Sequence, residues 1–109
     1  MTVRIAVDAM GGDLAPDALV QGSIKAAAAY SDVQIILVGQ REKLPAESTL
    51  PLNVVIEEAA SVMAMDESVE NLRKKRDSSI WVATKMVKEG RADAVISAGS
   101  TGAQMAAAL

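Results

Sequence analysis

Val3, Ile5 and Val7 alternate with Arg4, Ala6 and Asp8, a period-two pattern that predicts a first strand. The run VQIILVG, Val33 to Gly39, is almost continuously apolar, as expected of a parallel strand covered on both faces. VVIEEA from Val54 predicts a short third strand and ADAVISAG a fourth. Between the first two strands the period changes. Val20, Ile24, Ala27 and Ala28 fall on one helical face, and Pro16 suits the first turn of that helix. A later helix places Ile80, Ala83 and Val87 on one face and Lys85, Lys88 and Glu89 toward water, with Asp77 as its N-cap and Gly90 as its stop. The segment QREKLPAESTLPLN, with Pro45 and Pro51, predicts a loop holding one helical turn. SVMAMDESVENLRKKRD predicts a loop followed by a short helix, and Thr101 to Leu109 begins a last one.

Alternation of this kind predicts an α/β fold with a parallel sheet and right-handed crossovers. Four strands make a small sheet with an unfinished edge, and AQMAAAL is a helix with no capping glycine after it. The expectation is that residues 1–109 are the N-terminal part of a single, longer α/β domain, cut within a helix.

Composition narrows the chemistry. Half of the 109 residues are hydrophobic but only 2% are aromatic, so the core must come from Val, Ile, Leu, Ala and Met. The chain has no Cys and no His. Disulfides, thiol catalysis, a Ser-His-Asp triad and a His-based zinc site are excluded for this chain alone. A net charge of −3 gives no global drive toward nucleic acid. Arg4 and Asp8 interrupt the first apolar run, which therefore does not read as a signal peptide. No run reaches the roughly 20 apolar residues of a membrane span, and a cytoplasmic protein is expected.

Three segments carry candidate chemistry. In an open parallel sheet, ligands bind beyond the carboxyl ends of the strands. DAMGGD places Asp8, Gly11, Gly12 and Asp13 there. The glycines permit a tight turn and close ligand approach, and the acids can hold a hydroxyl, a cation or a lysine. The simpler reading is a turn whose Asp13 caps the first helix. VISAGSTGAQM is a second strand-to-helix corner, where Gly99 and Gly102 bracket Ser100 and Thr101 and Ser97 precedes them. Unpaired N–H groups at a helix start attract anions, so phosphate is its natural guest; the simpler reading is a capping hydroxyl. Neither corner matches the dinucleotide or P-loop pattern. The third segment runs from Met65 to Ser79 and contains Arg73, Lys74, Lys75 and Arg76 in succession. It reads equally as a solvated helix face, with Glu70 paired to Lys74, or as a contact for an anionic partner. Trp81 falls with Lys85 and Lys88, either covering a core edge or marking a contact.

RIAVDAMGGD, MDES…LRKKRDSS and ADAVISAGSTGA together resemble the PlsX family of bacterial phosphate acyltransferases, from Val3 to the last residue. Ser100 stands where that family usually has Asn, and Leu14 where Asn often follows GGD. The resemblance implies a three-layer α/β/α fold similar to isopropylmalate dehydrogenases and phosphotransacetylases. It implies transfer of a long fatty acyl group from acyl-carrier protein to inorganic phosphate, giving acyl phosphate for phospholipid synthesis, with no cofactor and no metal. It also implies a cytosolic homodimer that touches the membrane peripherally. Substrate or phosphate would be bound by Asp8, Gly11, Gly12, Asp13, Ser97, Gly99, Ser100, Thr101 and Gly102, and the carrier protein or another anion would meet Arg73 to Arg76. No general base is assigned. A phosphotransacetylase using coenzyme A, and a non-catalytic anion- or nucleotide-binding module, are the alternatives. The 109-residue piece alone is expected to be inactive.

Overall fold

A computed structural model describes residues 2–62, 70, 74–99, 104, 105 and 107. Four strands, β1 (Val3–Asp8), β2 (Val33–Gly39), β3 (Val54–Glu58) and β4 (Ala94–Ile96), form one sheet in the order β3-β2-β1-β4. All three pairings are parallel, with Ile5 opposite both Ile35 and Ala94. Helix α1 (Asp17–Ala29) links β1 to β2, and helix α2 (Ser79–Lys88) precedes β4. Two single turns of 3-10 helix, Arg41–Lys43 and Glu47–Thr49, lie between β2 and β3 where one turn is predicted.

The strand order sets the layers. The chain steps from β1 outward through β2 to β3, then returns past β1 to β4. Right-handed crossovers in opposite directions place their helices on opposite faces. On one face Val20 and Ala27 of α1 pack with Val7, Ile35, Leu37, Val54 and Ile56. On the other, Ala83 and Met86 of α2 pack with Ala6, Ile36 and Val38. The apolar run of β2 is thereby explained, because alternate residues enter separate cores. Cover on the α1 side is uneven. Ile5, Val7 and Ile96 line an open apolar groove of about 370 Å³ beside α1.

Several expected details differ. Ala28 is exposed, and Ser23 takes the buried position one turn after Val20. The N-cap of α2 is Ser78, not Asp77. Asp77 is held elsewhere: its Oδ1 accepts the Ser61 hydroxyl at 2.7 Å, and Ser61 and Ser78 form a parallel bridge. Glu70 and Lys74 are both helical, but no ion pair joins them. The end of α2 is as expected. The Gly90 N–H donates to Val87 and the Arg91 N–H to Met86, the paired bonds of a Schellman ending. Thr101–Leu109 is described only at Gln104, Met105 and Ala107, all helical.

At the amino end of the sheet, Arg4 and Asp93 clamp β1 to the start of β4. The Arg4 N–H donates to Asp93 Oδ2 at 2.8 Å, the Asp93 N–H to the Arg4 carbonyl at 2.7 Å, and Arg4 Nη2 to the Gly90 carbonyl at 2.8 Å. Hydrogen bonds from the Arg4 backbone, then its side chain, hold the Asp93 carboxyl below its ordinary value. Among the described residues, no helix is long and apolar enough to cross a membrane.

Candidate functional site

Strands β1 and β4 are neighbours although β1 ends at Asp8 and β4 begins only at Ala94. Between them the direction of strand succession reverses, which makes their carboxyl ends a topological switch point. The two glycine-containing corners predicted from sequence meet there.

Asp8, the last residue of β1, is 2% exposed. Its Oδ2 accepts the Ser97 hydroxyl at 2.9 Å and its Oδ1 accepts the Met10 N–H at 3.2 Å. Ser97 Oγ in turn accepts the Gly99 N–H at 3.1 Å. One carboxylate thus organises both corners. Among the described residues no cation pairs with it. Gln104 closes the arrangement, donating from Nε2 to the Gly99 carbonyl at 2.9 Å. Beside Ser97 a cavity of about 260 Å³ is walled by Ile80, Thr84, Val95, Gln104 and Met105.

The glycine requirement falls on the first corner. A Cβ at Gly11 would lie 2.7 Å from Asp8 Oδ2 and 3.0 Å from the Gly99 nitrogen. Gly12 has φ +93°, and a Cβ there would lie 3.0 Å from the Ala98 carbonyl oxygen. Gly99 is less constrained, since the nearest atom to an added Cβ is Ser97 Oγ at 3.3 Å. These glycines let one corner approach the other.

The structure therefore brings together Asp8, Gly11, Gly12, Ser97 and Gly99. Asp13 is exposed and does not cap α1, whose N-cap is Pro16, with no side-chain bond. The Gly99 N–H, a candidate anion donor from sequence, is engaged by Ser97 Oγ. Ser100, Thr101 and Gly102 lie outside the described residues.

The described residues of the basic run have different surroundings. Lys74 is exposed, Lys75 Nζ donates to the Val62 carbonyl at 3.2 Å, and the Arg76 guanidinium lies 5.6 Å from the Trp81 ring centre. Arg73 lies outside the described residues. Sequence reasoning missed Gln104, and missed Ser78, a fully buried N-cap whose Oγ has no hydrogen-bond partner among the described residues. Gln104 has no local signature; Ser78 is of a preferred N-cap type, but so is Asp77 beside it, and tertiary contact decided between them. No group of three His, Cys, Asp or Glu among the described residues is arranged to hold a metal ion.

A doubly wound parallel sheet with glycine-built loops at its switch point defines an open α/β architecture, a class in which ligands bind beyond the carboxyl ends of the strands. The chain belongs to the fatty acid synthesis protein family, whose pattern matches residues 3–109. It is 52% identical over 111 residues to a phosphate acyltransferase of Desulfitobacterium hafniense (strain DSM 10664 / DCB-2), with 98% of this chain and 33% of that protein covered. It is 53% identical over 111 residues to a phosphate acyltransferase of Moorella thermoacetica, with 98% and 32% covered. Against the phosphate acyltransferase of Syntrophomonas wolfei the identity is 52% over 112 residues, with 98% and 35% covered. The chain spans about a third of the length of these curated relatives.

Proposed function

We propose that residues 1–109 form the N-terminal part of a catalytic α/β domain that transfers a long-chain fatty acyl group from acyl-carrier protein to inorganic phosphate. The observation that carries the reading is the meeting of the two glycine corners at the switch point, in a chain whose relatives are named phosphate acyltransferase. In this reading a phosphate oxygen attacks the thioester carbonyl, the carbonyl oxygen becomes an oxyanion, and the C–S bond breaks. The carrier leaves as its thiolate, and acyl phosphate remains for phospholipid synthesis. Phosphate is already an anionic nucleophile, so the protein's task is to position it and to stabilise the oxyanion.

Asp8 and Ser97 act as positioning residues here. A carboxylate only accepts hydrogen bonds, and Ser97 donates its proton to Asp8, so neither is a free donor for phosphate. Donors for phosphate are assigned to Ser100, Thr101 and Gly102, on residue type: two hydroxyls beside a glycine whose backbone N–H an anion can approach. Gly11, Gly12 and Asp13 are read as lining the same crevice. The whole enzyme is read as a cytoplasmic homodimer with peripheral membrane contact, and the isolated piece as inactive.

The test is acyl-phosphate formation from acyl-carrier protein and phosphate by the complete protein. Turnover that does not depend on phosphate would sink the proposal. Preference for acyl-coenzyme A would move the assignment to a phosphotransacetylase, and saturable anion or nucleotide binding without turnover to a non-catalytic module.

A further inference from the structure

Helix α2 carries a concave surface that the switch-point site does not use. Trp81, Lys85 and Lys88 lie at i, i+4 and i+7 on one face, and with Arg76 and Ala107 they line a hollow of about 270 Å³. Trp81 is half-buried at its floor, with Arg76 over its ring. Among the described residues, none of Arg76, Lys85 and Lys88 has a carboxylate partner. By contrast Arg4, Arg41 and Arg91 are all ion-paired. Unneutralised cations around one aromatic ring, on a chain of net charge −3, make a local positive field that the net charge conceals.

We propose that Arg76, Trp81, Lys85 and Lys88 form the docking surface for the acidic carrier protein that delivers the acyl thioester. This rests on the function proposed above and moves the carrier contact from the run Arg73–Arg76 onto the outer face of α2. Two observations select a protein surface as the occupant. Lys88 is seven residues beyond Trp81, about 10 Å along the helix, a spread that suits several carboxylates better than one phosphate. Among the described residues, the exposed large apolar side chains, including Leu14, Tyr30, Leu52 and Ile96, all lie outside the hollow, so its described lining offers no wedge to insert among lipid tails. Trp81 and Arg76 are also of the residue types enriched among protein-interface hot spots. The surface is joined to the site through α2 itself, because Ile80, beside Trp81, lines the cavity next to Ser97.

Trp81 is the single tryptophan of this chain. The experiment uses the complete protein, with a paired Lys85→Glu, Lys88→Glu variant and Lys25→Glu on exposed α1 as the control. Binding of purified acyl-carrier protein is followed by calorimetry, by the change in fluorescence between wild type and Trp81→Phe, and by its salt dependence. The paired variant is expected to weaken binding at least tenfold and flatten the salt dependence, with kcat unchanged and KM for the carrier raised. Lys25→Glu should leave binding unchanged. Equal binding by wild type and the paired variant, at matched thermal midpoints, overturns the proposal. So does carrier-independent binding to phosphatidylglycerol vesicles that the paired variant loses. Carrier binding at this patch without phosphate-dependent turnover would sink the enzymatic reading and leave the docking surface standing.

Discussion

Strand β1 is tied to the β4 segment at both ends, by opposite means. At the amino end, Arg4 and Asp93 are exposed and charged, with side chains 38% and 47% accessible. At the carboxyl end, Asp8 is 2% exposed, and its partners are a serine hydroxyl and a backbone N–H. The exposed clamp uses two opposite charges that water also solvates, and it reinforces a register already set by the β-ladder. The buried contact holds a carboxylate with no cation among the described residues. That arrangement is costly for stability alone, because a buried acceptor must be satisfied and a buried charge compensated. Its return is geometric: one side chain fixes both loops of the switch point.

The comparison is broken most easily from the buried end. Gly11→Val should have the largest effect, about 1–3 kcal/mol from forcing a side chain against Asp8 and Gly99, together with at least a tenfold loss of acyl-phosphate formation. Chemical denaturation and turnover of the complete protein check it, and an unchanged denaturation midpoint would mean that the two corners are not in contact. Ser97→Ala comes next, at about 1 kcal/mol, because the Asp8 carboxylate loses a donor and the Gly99 N–H its acceptor. The readout is the same denaturation series. A cost below that of Arg4→Ala would invert the ranking of the two ends.

The smallest effect belongs to the exposed clamp and is sharpened by pH. The Asp93 carboxyl sits below its ordinary value in the folded chain. Its contribution is therefore fully present above the unfolded carboxylate pKa of about 3.9 and is lost as pH falls through the lower folded value. The stability difference between wild type and Asp93→Asn should be constant near neutrality and close in acid. A difference that widens as pH falls would contradict the assignment.

Much of the fold was legible before the structure. β2 coincides with the apolar run Val33–Gly39, because a strand covered on both faces has no polar position to blur its limits. Helix faces were less legible. Ser23 is buried and Ala28 exposed, since a small serine fits against the sheet and alanine tolerates either environment. The choice between Asp77 and Ser78 as N-cap turned on Ser61, sixteen residues before Asp77 and close to it only in space. At the site, residue types identified both corners. Which glycines are sterically required was decided by contact between the corners, and Gly11 and Gly12 carry that requirement where Gly99 does not.

Local pattern alone therefore determined the described strands and helices, the parallel α/β class and the lack of thiol and imidazole side chains in these 109 residues, because periodicity and residue type are properties of short stretches. Tertiary structure decided that β4 lies beside β1 and that α1 and α2 cover opposite faces. It also decided that Asp8 joins two loops distant in sequence, and that Trp81 gathers Arg76, Lys85 and Lys88 around one hollow. Strand order is a relation between segments far apart in the chain, set by which pairing buries the most apolar surface with right-handed crossovers. No single segment carries that information.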